Sequence, residues 1–245
     1  VFPAAGVFYQ VVGGLTAVQK MLWLYGGGGD EIIGEMYATK SPVYVTTVQI
    51  HPCEIWAHSK VPLNTLSDIQ GLKMRATGDA GEIIARIGAA QVNMPGVEIY
   101  EAAARGVVDA FEYGWPDLDW TMGFHEITDY VYLSPTRGPT GGCGFFVSEK
   151  EWDAIGADQQ MMVRQVAQGQ VAEWYAEAIA LDANALYRYI DYGNEVQALP
   201  KEIEDTFVNE ANKFYDERAA ADPFYARALQ SQRDWKALCE LQGIS

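Results

Sequence analysis

The sequence predicts an α/β body followed by a long, purely helical C-terminal region. Two observations carry this. Between Lys60 and Ser134, short strand patterns alternate with helical patterns, the signature of βα units and a mainly parallel sheet. After Val147, apolar residues recur at helical spacing almost to the end of the chain.

The elements follow in order. Leu15–Tyr25 reads as a helix and Asp30–Tyr37 as the next, with the Gly26–Gly29 turn between them and Asp30 as N-cap. Pro42–Ile50, rich in Val, Thr and Tyr, reads as a strand. Strand patterns at Gly71–Ala76, Gln91–Met94, Val107–Tyr113 and Tyr130–Ser134 alternate with helices at Asp79–Ile87, Val97–Arg105 and near Asp117–Phe124. A Pro/Gly-rich connection, Pro135–Gly144, leads into a last strand, Gly144–Val147. Asp158–Tyr192 shows Met162, Val166, Trp174, Ile179, Leu186 and Ile190 at helical spacing. Pro200 opens a further helix at its first turn, and Asp222-Pro223 separates it from Phe224–Leu241.

Charge narrows the partners. Against 17 basic residues stand 33 acidic ones, a formal net charge of −16. Residues 1–148 carry −7 and residues 149–245 carry −9, so the acidity is spread over a solvated surface and is not a tail. Such a surface repels nucleic-acid backbones and anionic lipid headgroups. No apolar run approaches a membrane span. Val1–Gly14 is apolar but lacks a basic region and a cleavage site, so it does not read as a signal peptide. A start without Met inside an apolar run is read as a processed or truncated N-terminus. Cys53, Cys143 and Cys239 form neither a disulfide framework nor a zinc spacing, and one disulfide stays open.

Most motifs for chemistry fail on inspection. Gly26–Gly29 lacks the Gly-Lys-Ser/Thr of a phosphate loop. His125-Glu126 begins like a zinc-protease motif, but Asp129 stands where the second His belongs. His51, His58 and His125 are therefore assigned to the surface or the core edge. No nucleophile elbow or Cys/His pair supports an enzyme.

Two residues stand out. Arg75 ends a predicted strand just before a helix, where open α/β sheets bind ligands. A guanidinium there can hold a carboxylate through two parallel hydrogen bonds, helped by the helix N-terminus. The bland alternative is a surface arginine paired with an acid. Glu112, in Asp109-Ala110-Phe111-Glu112-Tyr113-Gly114-Trp115-Pro116, follows an apolar strand among aromatics. Beside a carboxylate-binding arginine it needs a cation or a proton, and a hard cation held by oxygens would serve. An ion pair would satisfy it equally.

The run Leu63-Asn64-Thr65-Leu66-Ser67-Asp68-Ile69-Gln70-Gly71-Leu72-Lys73-Met74-Arg75 resembles the signature of substrate-binding proteins of tripartite ATP-independent periplasmic (TRAP) transporters. The resemblance continues through Gly88-Ala89-Ala90, Met94-Pro95-Gly96, Glu98-Ile99-Tyr100 and Arg105-Gly106-Val107-Val108-Asp109-Ala110. Glu112-Tyr113-Gly114-Trp115-Pro116, Gly14-Leu15-Thr16 and Trp23-Leu24-Tyr25-Gly26-Gly27-Gly28 are similar to the subgroup that binds 2-oxo acids and related monocarboxylates.

The resemblance implies a two-lobed periplasmic-binding-protein fold, type II-like, with long C-terminal helices. Residues 1–50 would be the remainder of the N-terminal lobe, its start missing. Residues 51–147 would form an α/β second lobe with crossover strands. Residues 148–245 would form a helical region that can pair protomers into a homodimer. Phe207, Phe214, Tyr215, Phe224, Tyr225 and Trp235 suit either that interface or an internal core.

Function follows from the same resemblance. The protein would capture a small 2-oxo or 2-hydroxy monocarboxylate such as pyruvate or lactate outside the cytoplasm and deliver it to membrane permease subunits. Arg75 would clamp the carboxylate, with Tyr113 and Trp115 as aromatic walls. A sodium or calcium ion bridging substrate and protein would be held by Glu112, Tyr113 and Glu54. A dicarboxylate or sugar acid would require a second basic residue in the pocket. An enzyme acting on an organic acid would use Glu112 as a base.

Overall fold

A computed structural model describes Phe2 and residues 4–244. Val1 and Pro3, at the head of the apolar run, and Ser245 lie outside the described residues. The chain opens with α1 (Ala5–Tyr9), α2 (Ala17–Gly26) and α3 (Gly29–Ala38), then the long strand β1 (Val43–Ile50). The α/β body follows as β2 (Ile55–Ser59), β3 (Lys73–Arg75), α4 (Gly78–Arg86), β4 (Ala90–Val92), α5 (Ile99–Ala104), β5 (Ala110–Phe111), α6 (Pro116–Thr121) and β6 (Tyr130–Leu133). The strand β7 (Gly142–Ser148) leads through α7 (Glu149–Ala154) into α8 (Ala157–Tyr192), β8 (Glu195–Ala198), α9 (Lys201–Ala221) and α10 (Pro223–Leu241).

Local chemistry fixes the boundaries. Thr16 and Gln19 form a reciprocal capping box at the start of α2. The Asp222 carboxylate accepts from the Phe224 and Tyr225 amides, and Pro223 fills the first turn of α10, which needs no amide donor. The glycine turn also forms, but it overturns Asp30 as the N-cap. Gly28, at φ +83°, starts α3 from a left-handed conformation. Asp30 then lies inside the first turn, and its carboxylate accepts from Thr46 and Thr47 on β1.

Six strands form one sheet in the order β4-β3-β5-β2-β6-β8, and β1 pairs antiparallel with β7 in a separate ribbon. β3 runs parallel to β4 and β5, and β6 parallel to β8. The departure from a parallel sheet is β2, which inserts antiparallel between β5 and β6. Neither β2 nor β8 is expected from sequence, and α1 is likewise absent from the sequence reading. The predicted strand Val107–Tyr113 shrinks to Ala110–Phe111, leaving Glu112 free beyond its end.

The main core runs from the N-terminal helices across the sheet to α9 and α10. Phe8 stacks near Trp23 at 6.1 Å, and Trp56 meets Phe207 edge-on at 5.8 Å. Phe207, Phe214, Tyr215 and Tyr225 are buried in this core, and Phe224 and Trp235 pack against it. These aromatics therefore serve the chain's own interior. A smaller cluster of Ile99, Ala103, Val108, Phe111 and Phe124 forms a second core, with Tyr113 packed against it. The three cysteines are free thiols. His51 and His58 are buried, not at the surface or edge, because the unforeseen β2 and its lead-in carry them inward.

Candidate functional site

The topology gathers four charged side chains at one edge of the sheet. β3, β5 and β6 end there, which places Arg75, Glu112 and the connection carrying Arg137 together. Because β2 runs the opposite way, its beginning lies at the same edge, and Glu54 precedes it directly. All four side chains are buried.

Together they form an alternating chain of charge. Arg75 Nη1 donates to Glu112 Oε1 at 3.0 Å and to the Glu112 carbonyl at 2.6 Å. Arg137 Nη1 donates to Glu112 Oε2 at 2.6 Å, and Arg137 Nη2 donates to Glu54 Oε2 at 2.6 Å. The Arg137 Nε–H is held by the Ile55 carbonyl at 3.0 Å. Arg75 also donates to the Met94 carbonyl from Nε and Nη2, both at 3.2 Å. The Thr77 amide, at the mouth of α4, completes the set with a 2.9 Å bond to Glu112 Oε1.

Charge-assisted bonds of this length are strong, but each partner has lost its hydration. Burial drives the Glu54 carboxyl up from its ordinary range, only partly opposed by Arg137. For Arg137, burial works against the charge, but Glu54 and Glu112 outweigh it and hold the guanidinium protonated.

A cavity of about 380 Å³ opens over this chain, lined by Tyr9, Gln10, Glu54, Thr77, Tyr113 and Arg137, with Glu112 at its floor. Tyr9 and Gln10 come from the N-terminal segment, so two parts of the chain close on it. Gly138 permits the closure: a Cβ there would stand 2.4 Å from Gln10 Nε2 and 2.7 Å from Glu54 Oε2.

The expected site residues are thus only partly united. Glu54, Glu112 and Tyr113 border the cavity, and Arg75 lies directly behind Glu112 with its Cζ 5.8 Å from the Tyr113 ring centre. Trp115 does not line the cavity; it packs against His51 at 4.9 Å and near Trp174 at 6.5 Å. Burial, with a smaller contribution from Lys20, pulls the His51 imidazole down to about 4.

Arg137 is the residue sequence reasoning missed. Its signal was an isolated arginine in a Pro/Gly-rich connection following a strand. The carboxylates expected to hold a cation, Glu54 and Glu112, both close on its guanidinium. Among the described residues no cluster of three or more His, Cys, Asp or Glu side chains assembles to hold a metal ion. As arranged here, both carboxylates are already engaged by guanidinium groups.

A cleft at the sheet edge, floored by a buried guanidinium–carboxylate chain and walled by an aromatic, is the architecture of an α/β solute-binding protein. The chain belongs to the family of bacterial extracellular solute-binding proteins, family 7, whose sequence profile matches residues 52–222.

Relatives place it more closely. A monocarboxylate 2-oxoacid-binding periplasmic protein of Nostoc sp. PCC 7120 is 26% identical over 235 residues, 96% of this chain. The chain spans 64% of the length of that curated relative. A TRAP periplasmic solute-binding protein from Pseudoalteromonas atlantica, solved with sodium and pyruvate, superposes with a TM-score of 0.86 at 27% identity. It covers 96% of this chain and 71% of its own. A second, from Colwellia psychrerythraea with calcium and pyruvate, gives 0.88 at 28% identity over 96% of this chain and 72% of its own. The two-lobed fold with long C-terminal helices is therefore that of TRAP solute-binding proteins, and the cation expected of the subgroup is present in both of those structures.

Proposed function

We propose that the protein captures a small 2-oxo or 2-hydroxy monocarboxylate, pyruvate or lactate in type, and presents it to the membrane subunits of a TRAP transporter. The single observation that carries this reading is the buried Arg75–Glu112–Arg137–Glu54 chain beneath a small cleft. Two relatives of this fold hold pyruvate in their structures. Arg75 contributes a guanidinium N–H beyond those bound to Met94 and Glu112, and Tyr113 supplies an apolar wall. Trp115 acts through His51, behind the wall.

Arg218, which also lines the pocket, is paired with Glu82, and Arg137 is a further basic residue there, the feature that would suit a dicarboxylate. Its charge is matched, however: two guanidinium groups face two carboxylates, and the set is neutral. One added carboxylate disturbs that balance less than two, which supports a monocarboxylate. An enzyme using Glu112 as a base is disfavoured, because both its oxygens already accept from guanidinium groups. The protein acts by binding and closure without turnover, in the periplasm of its cell. A homodimer would use the exposed Met161, Met162, Val166 and Ile179 of α8, since the aromatics of α9 and α10 are spent internally.

Calorimetric titration of the full chain with pyruvate, lactate and succinate tests the reading. Pyruvate or lactate should saturate one site per chain and remain chemically unchanged. Preferential binding of succinate, or appearance of a product, would overturn it.

A further inference from the structure

Two relatives' structures hold sodium or calcium as well as pyruvate, whereas here the two carboxylates at the cleft floor grip a side chain of the same polypeptide. Arg137 is the centre of this arrangement. Its side chain is 2% exposed, with a 2.6 Å contact to each of Glu54 and Glu112. It is also tethered from the rear, since Nε donates to the Ile55 carbonyl. Those three contacts use three of the five guanidinium N–H groups, so two remain, and the residue lines the cavity.

The charge balance points the same way. Without Arg137, Glu54 and Glu112 would face each other with only Arg75 to compensate, and a cation would be needed between them. With it, the four groups sum to zero. A hard cation would have to displace a guanidinium fixed at three points before it could reach the two carboxylates. Calcium prefers six to eight oxygens, so this is a poor exchange.

We propose that Arg137 takes over in this chain the role of a bound cation: its guanidinium bridges Glu54 and Glu112 to the oxygens of the bound acid, and capture is independent of metal. The proposal rests on the monocarboxylate reading for the identity of the acid, but not for the exclusion of the ion.

The test has two arms on the full chain, stripped of metal by chelation. Calcium and sodium are first titrated alone, read by calorimetry and native mass spectrometry. Wild type should take up neither, and Arg137→Gln, which leaves Glu54 facing Glu112, should gain one calcium per chain. Pyruvate is then titrated with chelator, with excess calcium and with sodium. Its affinity for wild type should agree across the three within about twofold, well under the tenfold that 1.4 kcal/mol would produce.

Calcium uptake by wild type overturns the proposal, as does a more than about tenfold gain in pyruvate affinity on adding either ion. A folded Arg137→Gln variant that ignores calcium also overturns it. If that variant does not fold, the wild-type metal titration decides alone. Failure of pyruvate to bind under every condition would sink the acid assignment, and the metal arm would still decide the role of Arg137.

Discussion

His58 Nε2 stands 3.0 Å from Asp119 Oδ2, with both side chains fully buried. This contact ties β2 to α6 behind the segment that follows β5. Asp119 Oδ2 also accepts from the Gly114 amide at 3.3 Å, and the Gly114 carbonyl accepts from the Ile55 amide at 2.8 Å. The segment carrying Glu112, Tyr113 and Trp115 is thus anchored from behind by one carboxylate. Removing one member of a buried polar pair strands the other, at about 3–5 kcal/mol. Asp119→Ala should lower the unfolding free energy by about 3 kcal/mol in urea denaturation. An unchanged midpoint would show that the pair does not anchor the loop.

Arg75 has two duties, and they predict a split result. It braces Glu112 through four hydrogen bonds, two to that residue and two to the Met94 carbonyl, and under the proposed function its remaining N–H goes to the ligand. Arg75→Ala should weaken pyruvate binding by roughly 2–5 kcal/mol, as for other buried charge contacts truncated on one side. Arg75→Lys keeps the charge but cannot reproduce the fork, so it should recover only part of the loss. Calorimetry on both variants reads this directly, and full affinity in the alanine variant would remove Arg75 from the binding site.

Asp182 introduces a pH dependence. It lies on α8 and accepts from the Asp117 amide at 2.9 Å, and burial pushes its carboxyl up to about 7. An acid whose folded value exceeds its unfolded value, near 3.8, binds more protons when folded. Stability attributable to this group is therefore greatest below the unfolded value and falls as pH rises toward 7. Asp182→Asn can still accept from Asp117 without carrying the charge. It should stabilise the protein at pH 8 by about 1–2 kcal/mol, discounted for water reaching the carboxylate, and have no effect near pH 3. Thermal unfolding across this range would contradict the assignment if the gain were constant with pH.

Arg75 and Glu112 were legible in the sequence because βα units announce their strand ends, and ligands gather at those ends. Arg137 was not legible, and Glu54 entered only through resemblance. Their meeting depends on β2 lying antiparallel between β5 and β6, and β2 gave no periodic signal. Ile55, Trp56, Ala57, His58 and Ser59 are all buried, so no inside–outside alternation exists to read. The strand β8, four residues at the sheet edge after a 36-residue helix, was hidden by its brevity. Asp30 misled for a different reason. It has the chemistry of a cap, but the glycine before it could start the helix alone, which released its carboxylate to β1.

Lys20 supplies the opposite pH dependence. It is 4% exposed on α2 and donates to the Tyr9 carbonyl, behind a wall of the cleft. Burial pulls its ammonium down to about 7 from 10.5. A base with a lowered folded value holds fewer protons folded than unfolded between those two values, so stability rises with pH through that window. Below pH 7 the buried charge is fully present and costs stability. Lys20→Met keeps most of the length of the side chain and removes the charge. It should stabilise the protein at pH 6 by roughly 1–3 kcal/mol, less than the full shift implies because the bond to Tyr9 is also lost. The advantage over wild type should shrink steadily as pH rises from 7 to 10. Urea midpoints for both proteins at pH 6 and pH 10 make the comparison, and a larger gain at pH 10 would refute it.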